Sequence, residues 1–213
     1  MVKDEGIERR KGNAARTRAA RRTVACALAA VAAIASTALA ATVEKEGMRY
    51  DDTVRIGGSR TVLNGVGVRG NDLFKGYVAG LYLPQKETDA EQVYVLKGAK
   101  RISVRMLLGV NGDVLARTFS DGIRKNYKEQ ALDALKARMD VFDSQVRAVG
   151  SVRKGDAIDI DFEPASGTRL LVNGKAQGDA IAGDDFYVAL LKMFIGERAI
   201  DKGLRSALLG QQQ

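Results

Sequence analysis

Histidine and tryptophan are missing from this 213-residue chain, cysteine occurs once, at Cys26, and proline twice, at Pro84 and Pro164. From Ala41 onward there is neither cysteine nor histidine. Ser–His and Cys–His nucleophile pairs are therefore excluded there, as is any zinc site built of Cys or His. Disulfides are excluded as well, so a domain made of these residues must be held by its core. What chemistry remains falls to Arg, Lys, Tyr, Ser, Thr and the carboxylates.

Long hydrophobic runs are also scarce. The longest, "TVACALAAVAAIASTALA", follows the basic stretch "RRKGNAARTRAARR" and closes on Ala38-Leu39-Ala40. A basic segment, an apolar segment and a small-residue end predict a secretory signal peptide over residues 1–40 and a periplasmic or secreted product. The run is alanine-rich and shorter than the ~20 apolar residues of a membrane span, so no stable span is expected after cleavage. The alternative is an uncleaved N-terminal anchor. These forty residues hold eight Lys and Arg against three Asp and Glu, so the remainder carries a net +3 where the whole chain carries +8. The basic character belongs mainly to the leader, and a nucleic-acid partner loses its main support.

Residues 41–213 are long enough for one domain with its own core. "SRTVLNGVGVRG" and "LFKGYVAGLYLP" predict two consecutive strands, rich in Val, Leu and Tyr and bounded by Gly, Asn and Pro. "DAEQVYVLKGA" fits a short helix or turn. In "KRISVRM", Ile102, Val104 and Met106 alternate with Arg101, Ser103 and Arg105, the period of a half-buried strand. Leu115, Phe119 and Ile123 recur every four residues and predict a helix. Leu132, Leu135, Met139, Phe142 and Val146 predict a second one that stops at Gly150. "DAIDIDFEP" returns to strand, Asn173-Gly174 marks a hairpin, and Asp184 or Asp185 is placed to cap the apolar helix "DFYVALLKMFIG". "DKGLRSALLG" predicts a last short helix. This order is α+β with a largely antiparallel sheet.

The blocks "GVGVRG", "FKGYVAGLYLP", "GDVLARTFSDGIRKN", "VGSVRKGDAIDIDF", "VNGK" and "FYVALLKMFIGERAI", in that order, resemble the chalcone isomerase family, in particular its bacterial secreted branch. The resemblance spans about residues 60–210. It implies an open-faced β-sandwich, a large antiparallel sheet covered by helices with an apolar cleft between them. In the plant enzymes of this family an arginine after a glycine-rich turn holds the reacting anion, and hydroxyl, amide and amine side chains position the substrate. By position the arginine falls on Arg69 and the first threonine on Tyr77. The helix tyrosine falls near Leu115, its lysine near Thr118, its asparagine near Gly122, and the second threonine near Met193. With Leu115 and Met193 in place of hydrogen-bonding groups the cleft becomes more apolar, and flavanone ring closure is not expected. The family also has members without isomerase activity that bind fatty acids through an arginine and a tyrosine, and this chain resembles those more closely.

The resemblance therefore implies a non-catalytic binding or carrier protein for a fatty acid or similar amphipathic carboxylate, with Arg69, Tyr77, Leu115 and Met193 at the ligand. A guanidinium offers a planar fork of donors to a carboxylate, a phenol adds another, and each methylene buried adds about 0.8 kcal/mol. An isomerase or intramolecular lyase acting on an enone or phenol is the alternative, and an accessory protein of an envelope assembly a third. The bland alternative for Arg69 is a strand-edge charge in an ion pair. Tyr82 and Phe74 read as structural. Asp159, Asp161 and Glu163 alternate with apolar residues and read as the wet face of a strand, neutralised by Arg101, Arg105 or Arg169, so neither a metal nor another cofactor is expected. "GVGVRG" leads into a strand and not a helix, which removes the context of a nucleotide-binding loop.

Overall fold

The computed structural model describes residues 41–71 and 73–211; the signal peptide expected over residues 1–40 lies outside the described residues. In chain order, β1 (Thr42–Lys45), β2 (Met48–Asp51) and β3 (Thr53–Ile56) lead into the long β4 (Ser59–Gly70) and β5 (Lys75–Leu83). Helix α1 (Ala90–Val95) and β6 (Lys100–Met106) follow, then β7 (Val110–Asn111) and the helices α2 (Gly112–Arg124), α3 (Glu129–Asp133) and α4 (Lys136–Ala148). Strands β8 (Ser151–Val152), β9 (Ala157–Glu163), β10 (Gly167–Val172) and β11 (Lys175–Ala176) precede α5 (Asp184–Ile195) and α6 (Lys202–Leu208).

Seven strands form one sheet in the order β11-β10-β9-β6-β5-β4-β3, with every pairing antiparallel. The two-residue alternation of the sequence sorts its faces. One row runs Leu81, Ile102, Ile160, Leu170, and the next Ala79, Val104, Ile158, Val172. These rows meet the helices and form the main core. Helix α5 lies almost wholly within that core, from Phe186 to Ile195. A large aliphatic or aromatic side chain so buried contributes roughly 1.5–3 kcal/mol. The architecture is the expected one: α+β, a large antiparallel sheet covered on one face by helices.

The glycines of β4 have a specific task on the helix face. In register, Gly65 lies opposite Leu81 and Gly67 opposite Ala79. A Cβ on Gly65 would collide with the Ala207 carbonyl oxygen and lie 2.8 Å from that of Leu208; one on Gly67 would lie 2.7 Å from Ala207 Cβ. Helix α6 thus rests directly on the strand backbone. On the opposite face the β1–β2 hairpin covers β5: the Tyr50 ring fills the space above Gly80, and its hydroxyl donates to the Val78 carbonyl at 2.9 Å. Tyr82 joins this second cluster with Leu63 and Val78, the structural role expected of it. Beyond the hairpin the same face is charged. Arg101 grips Asp161 through two bonds of 2.5 and 2.6 Å, and Arg105 donates to Asp159 at 3.0 Å. These carboxylates are neutralised by arginine as the alternation implied, yet they are buried and not wet.

Three features differ from expectation. The helix predicted through Leu132 and Leu135 up to Gly150 is two helices, because Leu135 N–H donates to Leu132 at i−3 and this tight turn tucks Leu135 into the core. Neither Asp184 nor Asp185 is the N-cap of α5; Gly183 occupies that position at φ 105°, both acids fall in the first turn, and Asp185 is held by Arg138. The polar start of the domain holds β1, β2 and β3, which carry no strong alternation of their own. Gly150 (φ 76°) and the Asn173-Gly174 turn (φ 50° and 77°) fall where the sequence places a helix stop and a hairpin.

Candidate functional site

Along the helix face of β4, the stripe Gly65, Gly67 ends at Arg69. Helix α6 begins beside this point: Asp201 caps it by accepting from Leu204 N–H at 2.8 Å and also accepts from Gly70 N–H at 3.3 Å. Arg69 lies in register with Tyr77 on β5, and its guanidinium carbon is 5.7 Å from the Tyr77 ring centroid. A bulge between Arg69 and Gly70, with Gly70 at φ 133°, ends the regular pairing there.

A cleft of about 360 Å³ opens from this pair. Its sheet side is Arg69, Gly76, Tyr77 and Met106; a loop from Leu108 to Asn111 and the α2 residues Val114, Leu115 and Thr118 form the other wall, with Phe74 at the rim. The volume lies within the ~300–1,000 Å³ of small-molecule sites, and the lining is mostly apolar with few polar groups, as such sites are built. Asn111 caps α2 by accepting from Asp113 N–H at 2.7 Å, and the Thr118 hydroxyl donates to the Val114 carbonyl at 2.8 Å. Among the described residues, no carboxylate or lysine lines this cleft. A larger groove of about 720 Å³ runs along β4 and α6, but it is open and lined mainly by polar groups.

Two donors stand unengaged at the inner end. Arg69 makes no ion pair with a described residue. The Tyr77 hydroxyl is buried without a hydrogen-bond partner among the described residues. Burial holds its phenol well above the ordinary value, with Arg69 pulling the other way, so Tyr77 stays protonated as a donor. A guanidinium and a phenol O–H at the end of an apolar hollow can bind an anion; among the described residues the lining offers no side chain ready to take a proton near neutral pH.

Arg69, Tyr77 and Leu115 are thus brought together. Met193 is not among the lining residues: on α5 and 1% exposed, it fills the gap over Gly122 of α2, where a Cβ would lie 2.8 Å from its sulfur. Sequence reasoning put the family's lysine position near Thr118, which does line the cleft, but missed Phe74, Met106 and Val114 as lining groups. Phe74 reads as structural in the sequence, yet the residue is 59% exposed at the rim. The bulge after Arg69 resets the strand alternation, which hides the orientation of the turn. Val114 and Thr118 sit one helical turn apart on the α2 face next to the core stripe, a spacing visible in retrospect.

Sheet, covering helices and cleft define a class: an open-faced antiparallel α+β domain with a hollow at one end of its core. The chain belongs to the chalcone isomerase-like family, whose model matches residues 41–210. Among solved structures, a fatty-acid binding protein of Arabidopsis thaliana is similar, with a TM-score of 0.64 and 17% sequence identity over 79% of this chain and 96% of that one. At that identity the likeness establishes the fold. No curated protein matches the chain in sequence.

Proposed function

We propose that this protein is an exported, non-catalytic binding or carrier protein for a fatty acid or similar amphipathic monocarboxylate, working in the periplasm or outside the cell. The observation that carries the reading is the buried Tyr77 hydroxyl beside Arg69 at the end of an apolar cleft, neither of them engaged by an acceptor among the described residues. A charged head group enters so dry a place only when paired and hydrogen-bonded, and these two side chains supply both needs. The fold shared with a protein named for fatty-acid binding supports the ligand class. A lining that, among the described residues, holds no carboxylate, lysine or histidine supports binding over isomerisation. The basic-then-apolar leader supports export.

Purified protein is expected to carry lipid from its expression host, read by mass spectrometry after denaturing extraction. Arg69→Ala should retain about tenfold less or lower still, since hydrogen bonds to a charged group are worth roughly 1.5–3 kcal/mol. Equal lipid in the two proteins, or none in either after reconstitution with laurate, would overturn the proposal.

A further inference from the structure

Lys100 opens β6 on the helix side of the sheet, at the end of the row that continues as Ile102 and Val104, and it is buried. Its Nζ donates to the carbonyl of Leu96, the C-cap of α1, at 2.5 Å. The same atom stands 5.2 Å from the centroid of the Phe162 ring, which stacks on Tyr187 of α5. An ammonium brings three N–H donors, and among the described residues only the Leu96 carbonyl accepts from this one. No described carboxylate lies within ion-pair distance of it.

Beside the amine lies a hollow of about 100 Å³, walled in part by Lys100, Phe162 and Tyr187 and open to solvent where Val95, Lys97 and Asp184 stand exposed. It shares no lining residue with the Arg69–Tyr77 cleft. At ~30 Å³ for each water in the liquid, the space suits a group of about three or four heavy atoms. The charged and titratable groups around the amine are Asp184 and Tyr187 on α5, Tyr94 on α1, and Lys97 in the loop between α1 and β6. Burial keeps both phenols protonated. It also brings the Lys100 pKa down to about 8, which leaves an appreciable share of free amine in mildly alkaline solution. A desolvated lysine of this kind is a nucleophile toward carbonyl carbon.

We propose that Lys100 captures small aliphatic aldehydes as a Schiff base in this hollow. The ammonium first gives a proton to solvent. The nitrogen lone pair then bonds to the carbonyl carbon while the C=O π pair moves to oxygen, and a proton passes from nitrogen to that oxygen to give the carbinolamine. The hydroxyl leaves as water with a proton regained from solvent, and the nitrogen pair forms the C=N bond of an iminium. From ammonium to iminium one water is released, with no net change in protons. The iminium keeps one N–H, which matches the single acceptor at Leu96, and its positive charge keeps the Phe162 ring face and Asp184 as partners. A carbamate formed from carbon dioxide would instead set an anion against that ring face and that carboxylate.

Purified protein is treated with propanal and sodium cyanoborohydride at pH about 8, and labelling is followed lysine by lysine by peptide mass spectrometry. Lys100 is expected to be propylated about tenfold faster than the exposed Lys154, because an ordinary lysine, of pKa ~10.4, holds far less free amine at that pH. The ratio of the two rates should fall when the pH is raised to about 10. Naphthaldehyde, too large for the hollow, should label Lys154 and leave Lys100 unmodified. Labelling of Lys100 no faster than Lys154, or as readily by naphthaldehyde as by propanal, overturns the proposal. Fast acylation of Lys100 by acetic anhydride without imine formation also overturns it, since the amine would then be a nucleophile of another kind.

Discussion

The Tyr77 hydroxyl presents a conflict that a single substitution resolves. Left without an acceptor among the described residues in a buried position, it costs the folded chain about 1–3 kcal/mol of desolvation. Tyr77→Phe removes that cost along with the oxygen. Unfolding in urea should therefore show the variant equal to the parent or up to about 1 kcal/mol more stable, while its affinity for laurate, by calorimetry, falls about tenfold. A variant that loses stability and binds normally would make the hydroxyl a core group and not a ligand group. Arg69 and Tyr77 were legible because they stand in a block whose glycine spacing and aromatic strand carry the family resemblance. Met193 was not placed by the same route: nothing in the apolar run of α5 marks which side chain faces α2 and which a hollow, since nearly all of that helix is buried. Phe74 escaped for the opposite reason. Its turn follows a bulge, where two-residue alternation ceases to report on orientation.

Among the elements, α6 is held by absence of side chains beneath it. Gly65 and Gly67 bring its Ala207 and Leu208 backbone onto β4, and this seat fixes the Asp201 cap next to Gly70 and hence the end of the helix beside Arg69. Gly65→Ala forces a methyl against carbonyl oxygens of the helix's last turn, which belong to backbone and have little room to yield. A loss of roughly 1–3 kcal/mol is expected in chemical denaturation, the range of overpacked cores. A change within about 0.5 kcal/mol, typical of surface substitutions, would show that α6 is not seated as described. Strands β4, β5, β6, β9 and β10 and helices α2 and α5 could be read in advance because hydrophobic period and burial agree over many residues; β7 and β8, two residues each, could not. The α3–α4 break could not: both sides share one apolar stripe, and only the i−3 bond of Leu135 separates them. Strands β1 and β2 are short and largely exposed, and their hairpin is anchored because Tyr50 has Gly80 to pack on, a contact between residues thirty apart in sequence.

The whole molecule is asymmetric across its sheet: one face carries a continuous apolar core under helices, the other a small aromatic cluster and then paired arginines and aspartates. Lys100 breaks this division. It lies 4% exposed at the start of β6, opposite Phe162 in register, with Nζ 5.2 Å from that ring centroid and bonded to the Leu96 carbonyl. Burial lowers its pKa from 10.5 to about 8, Asp184 opposing and Lys97 adding to the fall. Between pH 8 and 10.5 the unfolded chain keeps a proton that the folded chain has released, so stability from this group rises with pH across that window. Below pH 8 the lysine is charged in both states and the folded molecule carries the full cost of the buried cation. Lys100→Met abolishes the titration. The stability of the parent relative to Lys100→Met should therefore increase when unfolding in urea is compared at pH about 7 and about 10. Tyrosines that titrate at high pH are common to both proteins and cancel in the difference. Parallel pH profiles would mean that the ammonium group is solvated after all, and that the boundary between the α1 loop and the sheet is wet where the burial of Lys100 makes it dry.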